Sequence, residues 1–131
     1  MTERSNPVTV LLVEDHADSR HMYAEFLRMQ FTVVEAADGR LALDMMQEAA
    51  PDIVVTDLAL PRMDGFEMVE RMRTDDRLRN VPVIALSGYS SREHEARARE
   101  AGIDLVLQKP CLPDELAQAV ASAARNRKDT R

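Results

Sequence analysis

The stretch 8–20, VTVLLVEDHADSR, runs an apolar segment from Val10 to Val13 straight into two adjacent acids, Glu14 and Asp15. A nearly continuous apolar run of this kind suits a strand covered on both faces. Burying a charge costs roughly several kcal/mol unless a partner or a metal compensates, and a like charge alongside worsens it. The acid pair is therefore either the surface end of a strand or the seat of something cationic.

Outward from this segment, strand-like runs recur at 32–36, 52–57, 81–87 and 105–108, joining the first at 8–13. Helical patterns fall between them at 17–29, 40–49, 65–73 and 91–101, and a last one at 113–125 closes the chain. That alternation predicts an α/β domain, a five-stranded parallel sheet flanked by five helices. IVVT and VIAL are apolar throughout and suit interior strands, whereas TVVEA and LVLQ carry polar residues and suit edges. Pro82 stands at the start of its strand, where a missing N–H is tolerated.

Helix faces and ends are legible as well. Met22, Phe26 and Met29 recur at helical spacing, as do Ala42, Met45, Met46 and Ala49, so the methionines read as core filler. Ser90 and Glu93 have the spacing of a capping box. Pro51 ends the second helix, and Pro113 suits the first turn of the last, followed by Asp114 and Glu115. The fourth helix, SREHEARAREA, offers only alanines as apolar anchors. It reads either as a solvated helix laced by Arg–Glu pairs or as a weakly docked, movable element. No internal repeat or linker interrupts the chain, which predicts one domain over 8–125 with short tails at 1–7 and 126–131.

Bulk properties narrow the function. Hydrophobic residues make up 45% and charged residues 31% of the 131, a globular balance. No stretch is long and apolar enough for a membrane span, and MTERSNP lacks the hydrophobic region of a secretory signal. The lone Cys111 cannot form an internal disulfide, which fits a reducing cytoplasm. A net charge of -6 argues against nucleic acid as a direct partner, the basic end from Arg125 to Arg131 reading as tail or linker.

In open α/β sheets ligands bind beyond the carboxyl ends of the strands. Those ends carry Glu14 and Asp15, then Asp57, then Ser87, and the fifth strand leads to Lys109 and Pro110. Clustered hard oxygen ligands select Mg²⁺, which relieves the repulsion among the acids and can bridge to a phosphoryl oxygen. A carboxylate can attack phosphorus to give an acyl phosphate. Asp57, ending a central strand, is the natural nucleophile, with Lys109 and Ser87 placed to hold phosphoryl oxygens.

The segments LLVEDHADSR, PDIVVTDLALPRMDGFEM, VPVIALSGYS and AGIDLVLQKP together resemble the receiver domain of two-component response regulators, over nearly the whole of 8–124. The resemblance implies a doubly wound, flavodoxin-like sheet of order 2-1-3-4-5. It also implies that Asp57 is a phosphoacceptor charged by a sensor histidine kinase or a histidine phosphotransfer protein. Asp15 would then bind one Mg²⁺ directly, Glu14 through water, and the main-chain carbonyl of Ala59 would join them. Ser87 and Lys109 would contact the phosphoryl group, across a cis Lys109–Pro110 bond. Gly88 would leave room beside it, while Tyr89 and Ala59 would tune its hydrolysis, Tyr89 by shielding it from water.

Three positions depart from the family pattern, Glu14 in place of a first Asp only mildly. Val106 stands where a switching aromatic is common, so the signal would pass through Ser87, its loop and the fourth helix. Cys111 stands where phenylalanine is frequent and reads as a small packed thiol. The expected protein is a cytoplasmic signalling switch, not an enzyme acting on other substrates. It would relay phosphate or bind a downstream protein through the fourth helix, fifth strand and fifth helix, a face also suited to homodimerisation through Arg92, Glu93, Arg97, Arg99 and Glu100. The competing readings are a degenerate receiver that binds partners without phosphorylation and an aspartyl-nucleophile phosphatase. Ala59 weighs against the phosphatase, because that position would need a general acid. A flavin carrier of the same fold is disfavoured because EDHADSR would repel the flavin phosphate.

Overall fold

The computed structural model describes residues 7–88 and 91–129, with side chains described through residue 126. The strands are β1 (Thr9–Val13), β2 (Thr32–Ala36), β3 (Ile53–Asp57), β4 (Val83–Ser87) and β5 (Leu105–Gln108). They alternate with α1 (Ala17–Leu27), α2 (Gly39–Glu48), α3 (Gly65–Arg73), α4 (Arg92–Ala101) and α5 (Pro113–Asp129). All four neighbouring pairs are parallel, in the order β2-β1-β3-β4-β5. The predicted α/β class, strand order and edge strands are those observed.

Period-two alternation divides the core into two layers. Leu11, Val13, Val54, Val83 and Ala85 face Ala42 and Met46 of α2, Met68 and Met72 of α3, and Ala98 and Ala101 of α4. Val10, Leu12, Ile53, Val55, Ile84 and Leu86 face Tyr23 and Leu27 of α1 and Leu116 and Val120 of α5. Every residue of β3 and β4 is buried, whereas no residue of β5 is. This asymmetry leaves the carboxyl end of β3 deep in the middle of the site edge.

The first helix buries a different stripe from the one its methionines suggest. Tyr23, Ala24 and Leu27 point inward, while Met22 is 44% exposed, Met29 is 77% exposed and Phe26 only packs at the margin. The reason is Tyr23, whose hydroxyl donates to the Cys111 carbonyl at 2.7 Å, so its buried polar tip is satisfied and its ring faces inward. Met22 is then rotated off the sheet, and Met29 lies beyond the helix end. Elsewhere Met46, Met63, Met68 and Met72 are core residues, whereas Ala49 of the second predicted stripe is exposed.

Helix ends refine two further expectations. Ser90 lies outside the described residues, and α4 is capped by Ser91, whose Oγ accepts from the His94 N–H at 3.0 Å. The last helix runs to Asp129 rather than ending at Arg125, since no glycine or proline stops it.

Arg73, at the end of α3, ties the opposite end of the sheet together. Its Nη1 donates to the carbonyls of Val81 at 2.8 Å and Arg79 at 2.9 Å, and its Nη2 to that of Gly102 at 2.6 Å. Nη2 also meets Asp104 Oδ2 at 3.2 Å, and the same oxygen accepts from the Val83 N–H at 2.7 Å. One guanidinium thus joins α3, the approach to β4 and the turn after α4. Arg73→Leu should lower unfolding stability in urea by about 3 kcal/mol, and Arg73→Lys should recover less than half, because an ammonium lacks the fork.

Candidate functional site

The end of β1 delivers the two acids with their backbone already held. The Glu14 N–H donates to the Ala36 carbonyl at 3.0 Å, and the Glu14 carbonyl accepts from Arg20 Nη1 at 2.9 Å. Arg20 is itself held by Glu35 on β2, at 3.0 Å. The Glu14 side chain is therefore directed inward and buried, and Asp15 is partly covered.

Asp57 arrives from β3, and α3 begins directly over its carbonyl. A Cβ on Gly65 would lie 2.7 Å from the Asp57 carbonyl oxygen, so only glycine permits this approach. Asp64 caps α3 through the Glu67 N–H at 2.9 Å. Asp57 Oδ1 accepts from the Ala59 N–H at 3.1 Å, and Oδ2 accepts from Lys109 Nζ at 2.6 Å. Lys109 is placed by its own N–H, which donates to the Ser87 carbonyl at 2.8 Å, and by a cis bond to Pro110. Its Nζ also lies 3.8 Å from Glu14 Oε1. Ser87 ends β4, buried, and lines a cavity of about 190 Å³ with Asp57, Ala59, Gly88 and His94. A Cβ on Gly88 would meet nothing within 4 Å.

Glu14, Asp15, Asp57, Ser87 and Lys109 thus converge on one edge, as the strand ends predict. Ala59 is exposed beside them, Tyr89 lies outside the described residues, and Val106 packs partly buried against the α4 layer. Cys111 is buried, and burial raises its thiol pKa, as suits a packed, unreactive side chain. Sequence reasoning passed over two histidines. His16 Nδ1 lies 3.2 Å from Glu14 Oε2, and His94 Nε2 lies 2.9 Å from Ser87 Oγ. Only the nearness of His16 to the acid pair in the chain could have flagged it; His94 lies seven residues past Ser87 and carries no such signal.

The electrostatics are those of an unfinished site. Burial raises the Glu14 pKa and the Asp57 charge adds to this, against the opposing His16 N–H bond and Lys109 charge. Burial works against the Lys109 ammonium, but the bond and charge of Asp57 and then the charge of Glu14 outweigh it and raise its pKa. Among the described residues, Glu14 Oε1 and Asp15 Oδ1 are buried atoms without a hydrogen bond. Ligand atoms of Glu14, Asp15 and His16 lie within 4.8 Å of one another. Buried carboxylate oxygens without donors are what a hard cation would complete, so the donor set fits Mg²⁺.

A doubly wound parallel sheet with acids, a hydroxyl and a lysine gathered at its carboxyl edge is the arrangement of a signalling receiver. Residues 10–121 match the response regulator receiver domain, and the chain belongs to that family. It is 27% identical to the polar-differentiation response regulator DivK of Brucella anthropi, over 88% of this chain and 95% of that protein. It is 32% identical to hybrid signal transduction histidine kinase D of Dictyostelium discoideum, matching 89% of this chain but only 8% of the kinase. Among solved structures, Vibrio cholerae chemotaxis protein CheY4 superposes with a TM-score of 0.86 at 30% identity, covering 90% of this chain and 99% of that one.

Glu14→Gln should raise the thermal midpoint in chelator by about 4 °C, because it removes one desolvated charge facing Asp57. Added Mg²⁺ should raise the midpoint of the parent protein, less that of Glu14→Gln, and not that of Asp15→Asn. Differential scanning calorimetry measures all three.

Proposed function

We propose that this receiver accepts a phosphoryl group on Asp57 from a phosphohistidine of a sensor histidine kinase or histidine phosphotransfer protein. The observation that carries the reading is the Asp57–Lys109 contact beside two buried carboxylate oxygens that, among the described residues, accept no hydrogen bond. An Asp57 carboxylate oxygen attacks phosphorus, the P–N bond of the phosphohistidine breaks, and its electron pair stays on the imidazole. Lys109 turns its ammonium to the incoming phosphoryl oxygens, and Ser87 donates to another. Asp15, Asp57 and the Ala59 carbonyl, with Glu14 through water, would hold Mg²⁺, which would supply countercharge to the phosphoryl oxygens.

The domain promotes only its own phosphorylation and dephosphorylation, and passes the signal on by binding or by relaying phosphate. The partner face is α4, β5 and α5, where Leu105 is 42% exposed beside the charged residues of α4. Pairing of that face between two copies is the dimeric alternative. The domain unit is 8–125, in the cytoplasm, the setting in which Cys111 stays a thiol.

Incubation with acetyl phosphate and Mg²⁺ should add the mass of one phosphoryl group, and Asp57→Asn should abolish the gain. No gain with any divalent cation would leave a degenerate, binding-only receiver as the better account. Tyr89 shields the acyl phosphate from water on this reading. Tyr89→Ala should therefore speed its hydrolysis severalfold, read as loss of the added mass with time after the donor is removed.

A further inference from the structure

Val106 cannot work as an aromatic switch, since a β-branched side chain with no ring has nothing to swing between site and surface. The structure offers another link from Ser87 to α4. His94, in the first turn of α4, reaches back over the site so that its Nε2 lies 2.9 Å from Ser87 Oγ. Its ring stands edge-on to Phe66 of α3, with centroids 5.2 Å apart and planes at 79°. Arg97, one turn further on, lies over the same Phe66 ring at 4.1 Å and within 4.0 Å of Asp64.

These contacts matter because, among the described residues, the first half of α4 buries no side chain. Its buried side chains are Ala98 and Ala101, both in its second half. The first turn is held by the Ser91 cap, by His94 and by the Arg97–Phe66 contact behind it. A helix start that buries so little has low local stability, and a single hydrogen bond there is felt.

We propose that His94 is a positioning residue that takes the Ser87 hydroxyl when Asp57 is unphosphorylated and loses it on phosphorylation, releasing the first turn of α4. This rests on the phosphoacceptor reading of Asp57. A serine hydroxyl carries one proton. In the resting domain that proton is donated to His94 Nε2, with the imidazole proton on Nδ1. A phosphoryl group on Asp57 puts anionic oxygens into the cavity that Ser87 and His94 both line. A charge-assisted bond to phosphoryl is about twice as strong as a neutral one, so the hydroxyl leaves the imidazole. His94 then loses one of its anchors, and the start of α4 is loosened without any movement of Val106.

Hydrogen exchange of the α4 amides, read by mass spectrometry with and without acetyl phosphate and Mg²⁺, tests this. In the parent protein, exchange over the first turns of α4 should quicken by about fivefold on phosphorylation, the population change set by one hydrogen bond. His94→Phe keeps a ring against Phe66 but cannot accept from Ser87. It should exchange fast from the start, gain the phosphoryl mass, and show no further change. His94→Gln, whose amide reaches the place of Nε2, should restore the parent pattern. Ser87→Ala, which removes the bond from the other side, should match His94→Phe without the phosphodonor. A phosphoryl mass gain in the parent with unchanged α4 exchange, or a His94→Phe protein indistinguishable from the parent, overturns the role of His94 alone. Absence of any mass gain in the parent overturns the phosphoacceptor reading and this inference with it.

Discussion

Carboxylates crowded at the carboxyl edge of the sheet impose the constraint around which the rest of the domain is arranged. Glu14 and Asp57 are buried within reach of a single ammonium, and Lys109 spends its shortest contact, 2.6 Å, on Asp57. Glu14 Oε1 is left 3.8 Å from that cation, and Asp15 Oδ1 has no hydrogen bond among the described residues. One lysine cannot balance three acids in a partly dry pocket. The folded domain holds an excess of negative charge that a divalent cation would offset, and the same cation would then meet the negative charge of a phosphoryl group. Readiness for chemistry and a local cost in stability are the same physical fact here.

The scaffold holds this edge by stiffening both ends of the sheet. At the site, Arg20 fixes the carbonyl of Glu14, and Gly65 lets α3 start on top of Asp57. At the far end, Arg73 on α3 satisfies carbonyls of Arg79 and Val81 before β4 and of Gly102 after α4. The sheet between is buried on both faces along β3 and β4, so Asp57 and Ser87 stand on the most rigid strands. Rigidity falls away toward β5 and α4, where burial is thin. A change of charge at Asp57 would therefore have a soft direction in which to be felt.

Much of this was legible because it follows from local chemistry. Apolar runs ending in acids, a hydroxyl and a lysine mark strand ends whatever the packing, and parallel topology then collects them on one edge. Helix faces were harder to read. Met22 and Met29 have the spacing of a buried stripe, yet a tyrosine needing a partner for its hydroxyl turned the helix by one residue. His94 was not legible, because its role depends on where α4 lies against Ser87, a distance of tertiary origin. A lone ring in a helix of alanines and charges reads as surface until the fold brings Phe66 beneath it.

The weakness of α4 and the missing aromatic at Val106 belong to one design. Here the side chain at 106 stays packed against the core, and the ring sits on the helix itself. Moving the ring from the strand to the helix changes which element must yield. A helix anchored by alanines can yield at the strength of one hydrogen bond, whereas a helix with a leucine stripe would hold against it. Under the proposed coupling, the poor apolar content of SREHEARAREA becomes a requirement: a better packed α4 would make a more stable domain and a deaf one.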